Sequence, residues 1–199
     1  MATKIGILIS GRGSNMVALV DAIKSGEIPA SEVAVVISDK ADAAGLAKAK
    51  ARGVETAIIE RNKRSREEHD ADIISELKKR DVELVCLAGY MRLLSPEFVH
   101  AFPDRIINIH PSLLPAFPGL DAQGQAFDAG VKVTGCTVHF VDELLDHGKI
   151  IMQRSVNVLP GDTAETLRSR LLEEEHRLYV ESLRQLVKEL RESSSAATK

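Results

Sequence analysis

Asn108 and His110 stand one residue apart at the end of the short apolar run from Arg105 to Ile107, just before Pro111. The proline biases His110 toward extended backbone. Alternate residues of a strand share a side, so the Asn108 amide and the His110 imidazole point the same way. A neutral donor beside a titratable acid/base suits a reaction that builds negative charge on a carbonyl oxygen. A purely structural histidine at a strand end is the alternative. Farther on, Asp142, Glu143 and Asp146 form an acidic loop, whose simplest reading is solvated surface. If one of these carboxylates met His110 across a cleft, it would stabilise the imidazolium. The charged ring would then be ready to hold an oxyanion or deliver a proton.

A second group of residues suits an anion. Gly11, Arg12, Gly13, Ser14 and Asn15 follow an apolar run and precede a helical pattern. Backbone N–H groups at such a helix start can hold a phosphate, and glycine permits close approach. The spacing matches neither a dinucleotide fingerprint nor a Walker A loop, so a single phosphate fits better. A tight strand-to-helix turn without a ligand is the alternative. Glu175 falls on the apolar stripe of Leu171, Leu178 and Leu183. A carboxylate there needs a partner, structural or ligand. Arg66 opens a helix, and Arg92 follows the end of a strand, where ligands gather in open α/β sheets.

These residues need elements to place them. Ile5–Ile9, Val33–Ile37, Val54–Ile59, Val82–Ala88 and Arg105–Ile109 read as strands, the first, second and fourth as strands buried on both faces. Met16, Leu19, Val20 and Ile23 mark a helix, Ala41–Ala51 is helix-compatible, and Ser65 to Glu68 has the form of a capping box starting a helix from Arg66 to about Lys79. Thr134–Val141 and Lys149–Val158 read as a further, antiparallel pair. Asp162 is placed to cap a long helix from Thr163 to about Leu190. The alternation predicts one α/β domain over residues 1–192, with a mainly parallel twisted sheet, flanking helices and a Rossmann-like first half. The stretch 193–199 is expected to be a disordered tail.

Composition narrows the function. The 199 residues are 44% hydrophobic with a net charge of −3, so no bulk basic field recruits nucleic acid. No run reaches membrane-spanning length and no secretory signal is evident. The two cysteines, Cys86 and Cys136, sit in apolar strand-like runs and read as reduced thiols of a cytoplasmic chain. No His, Cys or Asp cluster has metal-ligand spacing.

Taken together, Ile9 to Asn15, Leu87 to Arg92, Asn108 to Pro115, and Gly135 to Val141 followed by Asp146 resemble the phosphoribosylglycinamide formyltransferase family of folate-dependent purine-synthesis enzymes. The resemblance spans about Lys4 to Leu190. It implies transfer of a formyl group from 10-formyltetrahydrofolate, as co-substrate, to the amine of glycinamide ribonucleotide, without a metal. Asn108, His110 and Asp146 fall on the family's catalytic positions. The ribonucleotide would lie on Gly11 to Asn15 and Glu175. The folate would lie along Met91, Arg92, Leu93 and Leu94, at Asn108, and along Val141, Asp142, Glu143, Leu144 and Asp146, with Arg66 at its edge. It also implies a cis Leu114–Pro115 bond. The partners would be these small molecules, with neither nucleic acid nor membrane, for a monomer or homodimer. A folate hydrolase, a transferase with another acceptor and a non-catalytic nucleotide-binding module are rival readings. A nicotinamide enzyme is disfavoured, Ser38-Asp39 being only a weak candidate for its ribose-binding acid.

Overall fold

The apolar runs lie side by side as strands in the computed structural model, which describes residues 2–196. β1 (Thr3–Ile9), β2 (Ser31–Ser38), β3 (Thr56–Ile58), β4 (Leu84–Leu87) and β5 (Ile106–His110) pair in parallel. β6 (Val133–Phe140) and β7 (Ile150–Asn157) add antiparallel, as the sequence predicts. The seven-stranded order is β3-β2-β1-β4-β5-β6-β7. The helices are α1 (Ser14–Lys24), α2 (Ala44–Ala51), α3 (Arg66–Lys79), α4 (Pro96–Ala101), α5 (Ala122–Asp128) and α6 (Ala164–Ala196).

Strand alternation builds a core on each face of the sheet. Ile5, Ile7 and Ile9 of β1 join Cys86, Ile107 and Ile109 against α1, α2 and the Leu178–Val187 stretch of α6. Leu8, Val35, Ile37, Val85 and Leu87 face the other way, toward Ile73 and Leu77 of α3 and Phe98 of α4. Tyr179 of α6 reaches through the first layer. Its hydroxyl lies within donating distance of the carbonyls of Leu87 (3.0 Å) and Ile107 (3.1 Å), tying β4 to β5. The chain order reverses between β1 and β4, which opens a crevice at the carboxyl ends of these strands.

Local chemistry sets the helix ends. Both halves of the Ser65–Glu68 capping box are present, and α3 spans the range the sequence predicts. α4 and α5 are additions to that reading. α4 has six residues, too few for an apolar stripe, although Ser95 caps it and Pro96 sits in its first turn. α5 starts from Asp121 in the left-handed region with no side-chain cap and contains Gly124. At α6 the sequence puts Asp162 at the cap, but Thr163 Oγ1 accepts from Thr166 N at 3.2 Å instead. Asp162 pairs with Arg170 at 2.6 Å and accepts from Leu159 N at 2.7 Å. Arg170 first, then the Leu159 N–H, hold the Asp162 carboxyl well below the usual carboxylate range. α6 also continues past Ser193 to Ala196, so the first part of the expected tail is helical. Ser193 Oγ donates back to Glu189 O at 2.9 Å, which lets serine sit in the last turns. The rest of that tail, 197–199, lies outside the described residues.

Candidate active site

β5 carries both Asn108 and His110 within the strand rather than beyond its end. Its antiparallel register on β6 sets Asn108 opposite His139 and His110 opposite Thr137. His139 is buried, and its Nδ1 lies 2.8 Å from Phe140 O, so that nitrogen carries the proton. Nε2 of the neutral ring can then accept from Asn108 Nδ2 at 3.3 Å. Burial pushes the His139 pKa down, outweighing the Phe140 carbonyl and the Asp146 charge, which act in the opposite direction. A neutral His139 therefore fixes which way the Asn108 amide points. The sequence reading overlooked this histidine, because its role depends on cross-strand register.

Asp146 brings the acidic loop to the same place. Its Oδ2 lies 3.4 Å from His110 Nδ1, and its Oδ1 lies 3.9 Å from His139 Nε2. Asp146 holds a left-handed φ of 49°, uncommon for a residue other than glycine. Oδ2 also accepts from Gly119 N at 2.8 Å, joining the acidic loop to the proline-rich loop. His110 Nε2 lies 2.9 Å from Phe117 O. The ring thus sits between a carbonyl and a carboxylate, with Nε2 placed to donate to Phe117 O and Nδ1 turned toward Asp146. Thr137 Oγ1 supports the proline loop by donating to Ser112 O (2.7 Å) and accepting from Leu114 N (3.0 Å). The Leu114–Pro115 bond is cis, as the resemblance implies.

The turn after β1 has the form of an anion cradle. Gly13 is left-handed, with φ of 68°, and sits at the N-cap of α1. That helix has no side-chain cap and no acidic residue in its first turn, so its positive end stays open. Gly45 of α2 donates to Gly11 O at 3.0 Å. A Cβ on Gly45 would lie 3.1 Å from that oxygen and 3.2 Å from Gly13 Cα, which explains glycine there. Lys48 Nζ donates to Arg12 O at 2.9 Å, setting an ammonium beside the turn that the sequence reading did not single out. Asn15 Nδ2 donates to Glu175 Oε2 at 2.9 Å, across 160 residues of chain. Glu175 is 6% exposed. Burial pushes its carboxyl pKa up, against the Asn15 hydrogen bond. Asn15 Oδ1 is buried without a hydrogen-bond partner, an acceptor available to a ligand.

The third part follows β4. Met91 and Leu93 are largely exposed, whereas the Leu94 side chain is buried in the core toward α3 and α4. Arg92 Nε donates to Asp39 Oδ2 at 2.6 Å. A cleft of about 510 Å³ is lined by Arg61, Arg66, Arg92, Asp70, Met91 and Leu93, among others. Its lining includes none of Asn108, His110 and Asp146, so it does not contain the polar cluster. Arg61 is an addition to the sequence reading. Val141 is half-buried and Leu144 exposed. Asp142 Oδ2 lies 2.8 Å from His147 Nδ1, and Glu143 pairs with His100 at 3.0 Å. Among the described residues, no group of three or more His, Cys, Asp or Glu is placed to hold a metal.

Three elements therefore converge at the carboxyl ends of β1, β4 and β5: an anion cradle, an arginine-lined strip and a polar acid/base cluster. The model of the family described as formyl transferase matches residues 3–183. The chain belongs to the formyl transferase family. It is 43% identical over 185 residues to the phosphoribosylglycinamide formyltransferase of Bacillus subtilis (strain 168), covering 92% of this chain and 94% of that protein. It is 47% identical over 182 residues to the trifunctional purine biosynthetic protein adenosine-3 of Drosophila pseudoobscura pseudoobscura, spanning only 13% of that protein's length. Its fold superposes with a TM-score of 0.91 on the crystal structure of glycinamide ribonucleotide transformylase 1 from Symbiobacterium toebii, at 53% identity, covering 94% of this chain and 88% of that one. Arg92 engages Asp39 Oδ2 and the Asp39 side chain is buried, so it does not present the accessible carboxylate that a nicotinamide ribose would need.

Proposed function

We propose that this chain transfers a formyl group from 10-formyltetrahydrofolate to the glycinamide amine of 5'-phosphoribosylglycinamide, in purine synthesis. The observation that carries the reading is the Asp146 carboxylate 3.4 Å from His110 Nδ1, with Asn108 on the same side of β5. The ribonucleotide phosphate lies on the Gly11 to Asn15 turn, and its sugar reaches Glu175 and the free Asn15 Oδ1. The folate lies along Met91 to Leu94 and Val141 to Asp146, with its acidic end toward Arg66.

The substrate amine attacks the formyl carbon, and the carbonyl π electrons move onto oxygen. Asn108 Nδ2–H donates to this oxyanion, and His110 Nε2–H joins it on exchanging Phe117 O for the oxyanion. The tetrahedral centre then re-forms its carbonyl and expels the folate nitrogen, which takes up a proton as the attacking amine loses one. Asp146 orients His110 and assists this exchange. The products are phosphoribosyl-N-formylglycinamide and tetrahydrofolate. No metal is needed. Two free, buried thiols suit the cytoplasm, and the chain acts as a monomer or homodimer.

A spectrophotometric assay with 10-formyltetrahydrofolate, with and without the ribonucleotide, tests the proposal. Folate turnover only with the ribonucleotide is expected. Turnover without it would indicate a hydrolase, and no turnover in either case would reject the transfer.

A further inference from the structure

The acidic residue at the tip of β2 has no part in the transfer chemistry. Asp39 is nevertheless a carboxylate whose side chain is only 1% exposed. Burying such a group is costly unless it is paired. Its Oδ2 accepts from Arg92 Nε at 2.6 Å, while its Oδ1 has no hydrogen-bond partner. Arg92 is thus the one ion-pair partner of Asp39 among the described residues.

The pair uses one edge of the guanidinium. Arginine presents five N–H donors in a rigid planar fork. Holding Nε fixes the plane of that fork and leaves the Nη donors for a second partner. The Arg92 side chain is 34% exposed and lines the cleft with Arg61 and Arg66. The backbone of the strip is secured elsewhere. Ser10 N donates to Gly89 O at 3.2 Å, Met91 N to Ser10 Oγ at 2.9 Å, and Ser95 N to Asp70 Oδ2 at 2.6 Å. The backbone is therefore held without Asp39, and what Asp39 sets is the direction of the Arg92 side chain.

We propose that Asp39 is a positioning residue for formyl-folate binding, aiming the free donors of Arg92 at the polar groups of the folate. This rests on the reading that the Met91–Leu94 strip holds the folate. Steady-state kinetics on the intact chain test it, varying 10-formyltetrahydrofolate and glycinamide ribonucleotide separately. Asp39→Ala should raise KM for formyl folate about tenfold, with kcat and the ribonucleotide KM within about twofold of wild type. Asp39→Asn keeps an acceptor without the charge and should fall between the two. It carries the test if the alanine variant does not fold. In an Arg92→Ala background, replacing Asp39 should add no further loss of formyl-folate affinity. Equal increases in both KM values, or a full additional loss in that background, would overturn the inference. An unchanged formyl-folate KM in Asp39→Ala, with active wild type, would overturn it alone. A wild-type chain that neither binds nor turns over formyl folate would overturn the folate reading and this inference with it.

Discussion

In the proposed transfer, Asn108 and His110 act on the same developing charge from adjacent positions of one strand face. Removing one preorganised oxyanion donor costs about 3–4 kcal/mol of barrier, a hundred- to thousandfold in rate. His110→Ala should lose activity on that scale while its thermal midpoint stays close to wild type. Near-normal kcat in a folded His110→Ala chain would remove the imidazole from the mechanism. His139 makes a different prediction, because burial lowers its pKa in the folded state. Unfolded histidine binds a proton near pH 6.5, and the folded ring resists it. Below that pH the unfolded state gains the proton first, so stability is lost as pH falls from about 7 to 5. Each pKa unit of difference is worth about 1.4 kcal/mol. Urea denaturation of wild type and His139→Gln across this range should show a shallower fall in the variant. Parallel curves would show that His139 titrates alike in both states. Of the candidate site residues, Asn108, His110 and Glu175 could be picked out from local pattern: a strand end before proline and a carboxylate in a leucine stripe. His139 could not, because its meaning lies in its cross-strand partner. The Asp39–Arg92 pair could not, because 53 residues separate the two.

Elements with both a periodic stripe and a start signal were the legible ones. α3 shows this, since Ser65 and Glu68 fix its start and Ile73 and Leu77 its buried face. α4 and α5 lacked room or propensity for a stripe, and the cap of α6 moved to Thr163 once Arg170 engaged Asp162. The α3 cap also bears on binding, because Arg66 is the first helical residue and lines the cleft. Ser65→Ala should cost about 1 kcal/mol of stability. Fraying of the first turn would release Arg66, so KM for formyl folate should rise about two- to threefold with kcat unchanged. Chemical denaturation with the same kinetic assay measures both. A stability loss without any change in that KM would separate Arg66 from the folate.

Electrostatics decides how the whole molecule would meet the two anionic substrates proposed for it. The net charge is −3, so no global field draws them in. Attraction must come from short-range features: the open start of α1 with nearby Lys48, and the cleft arginines Arg61, Arg66 and Arg92. Such contacts are partly exposed and weaken as the Debye length shrinks from about 10 Å at 0.1 M salt to about 3 Å at 1 M. KM for both substrates should therefore rise several-fold between low and high sodium chloride, with kcat little affected. A helix start that fits a phosphate should also prefer a tetrahedral anion over chloride. At matched ionic strength, sulfate should compete with the ribonucleotide more strongly than chloride does, and should not compete with formyl folate. Inhibition kinetics at fixed ionic strength separate the two substrates. Equal inhibition by sulfate and chloride would mean that the Gly11 to Asn15 turn does not hold the phosphate, and the ribonucleotide would then have to be anchored through Glu175 and Asn15 alone.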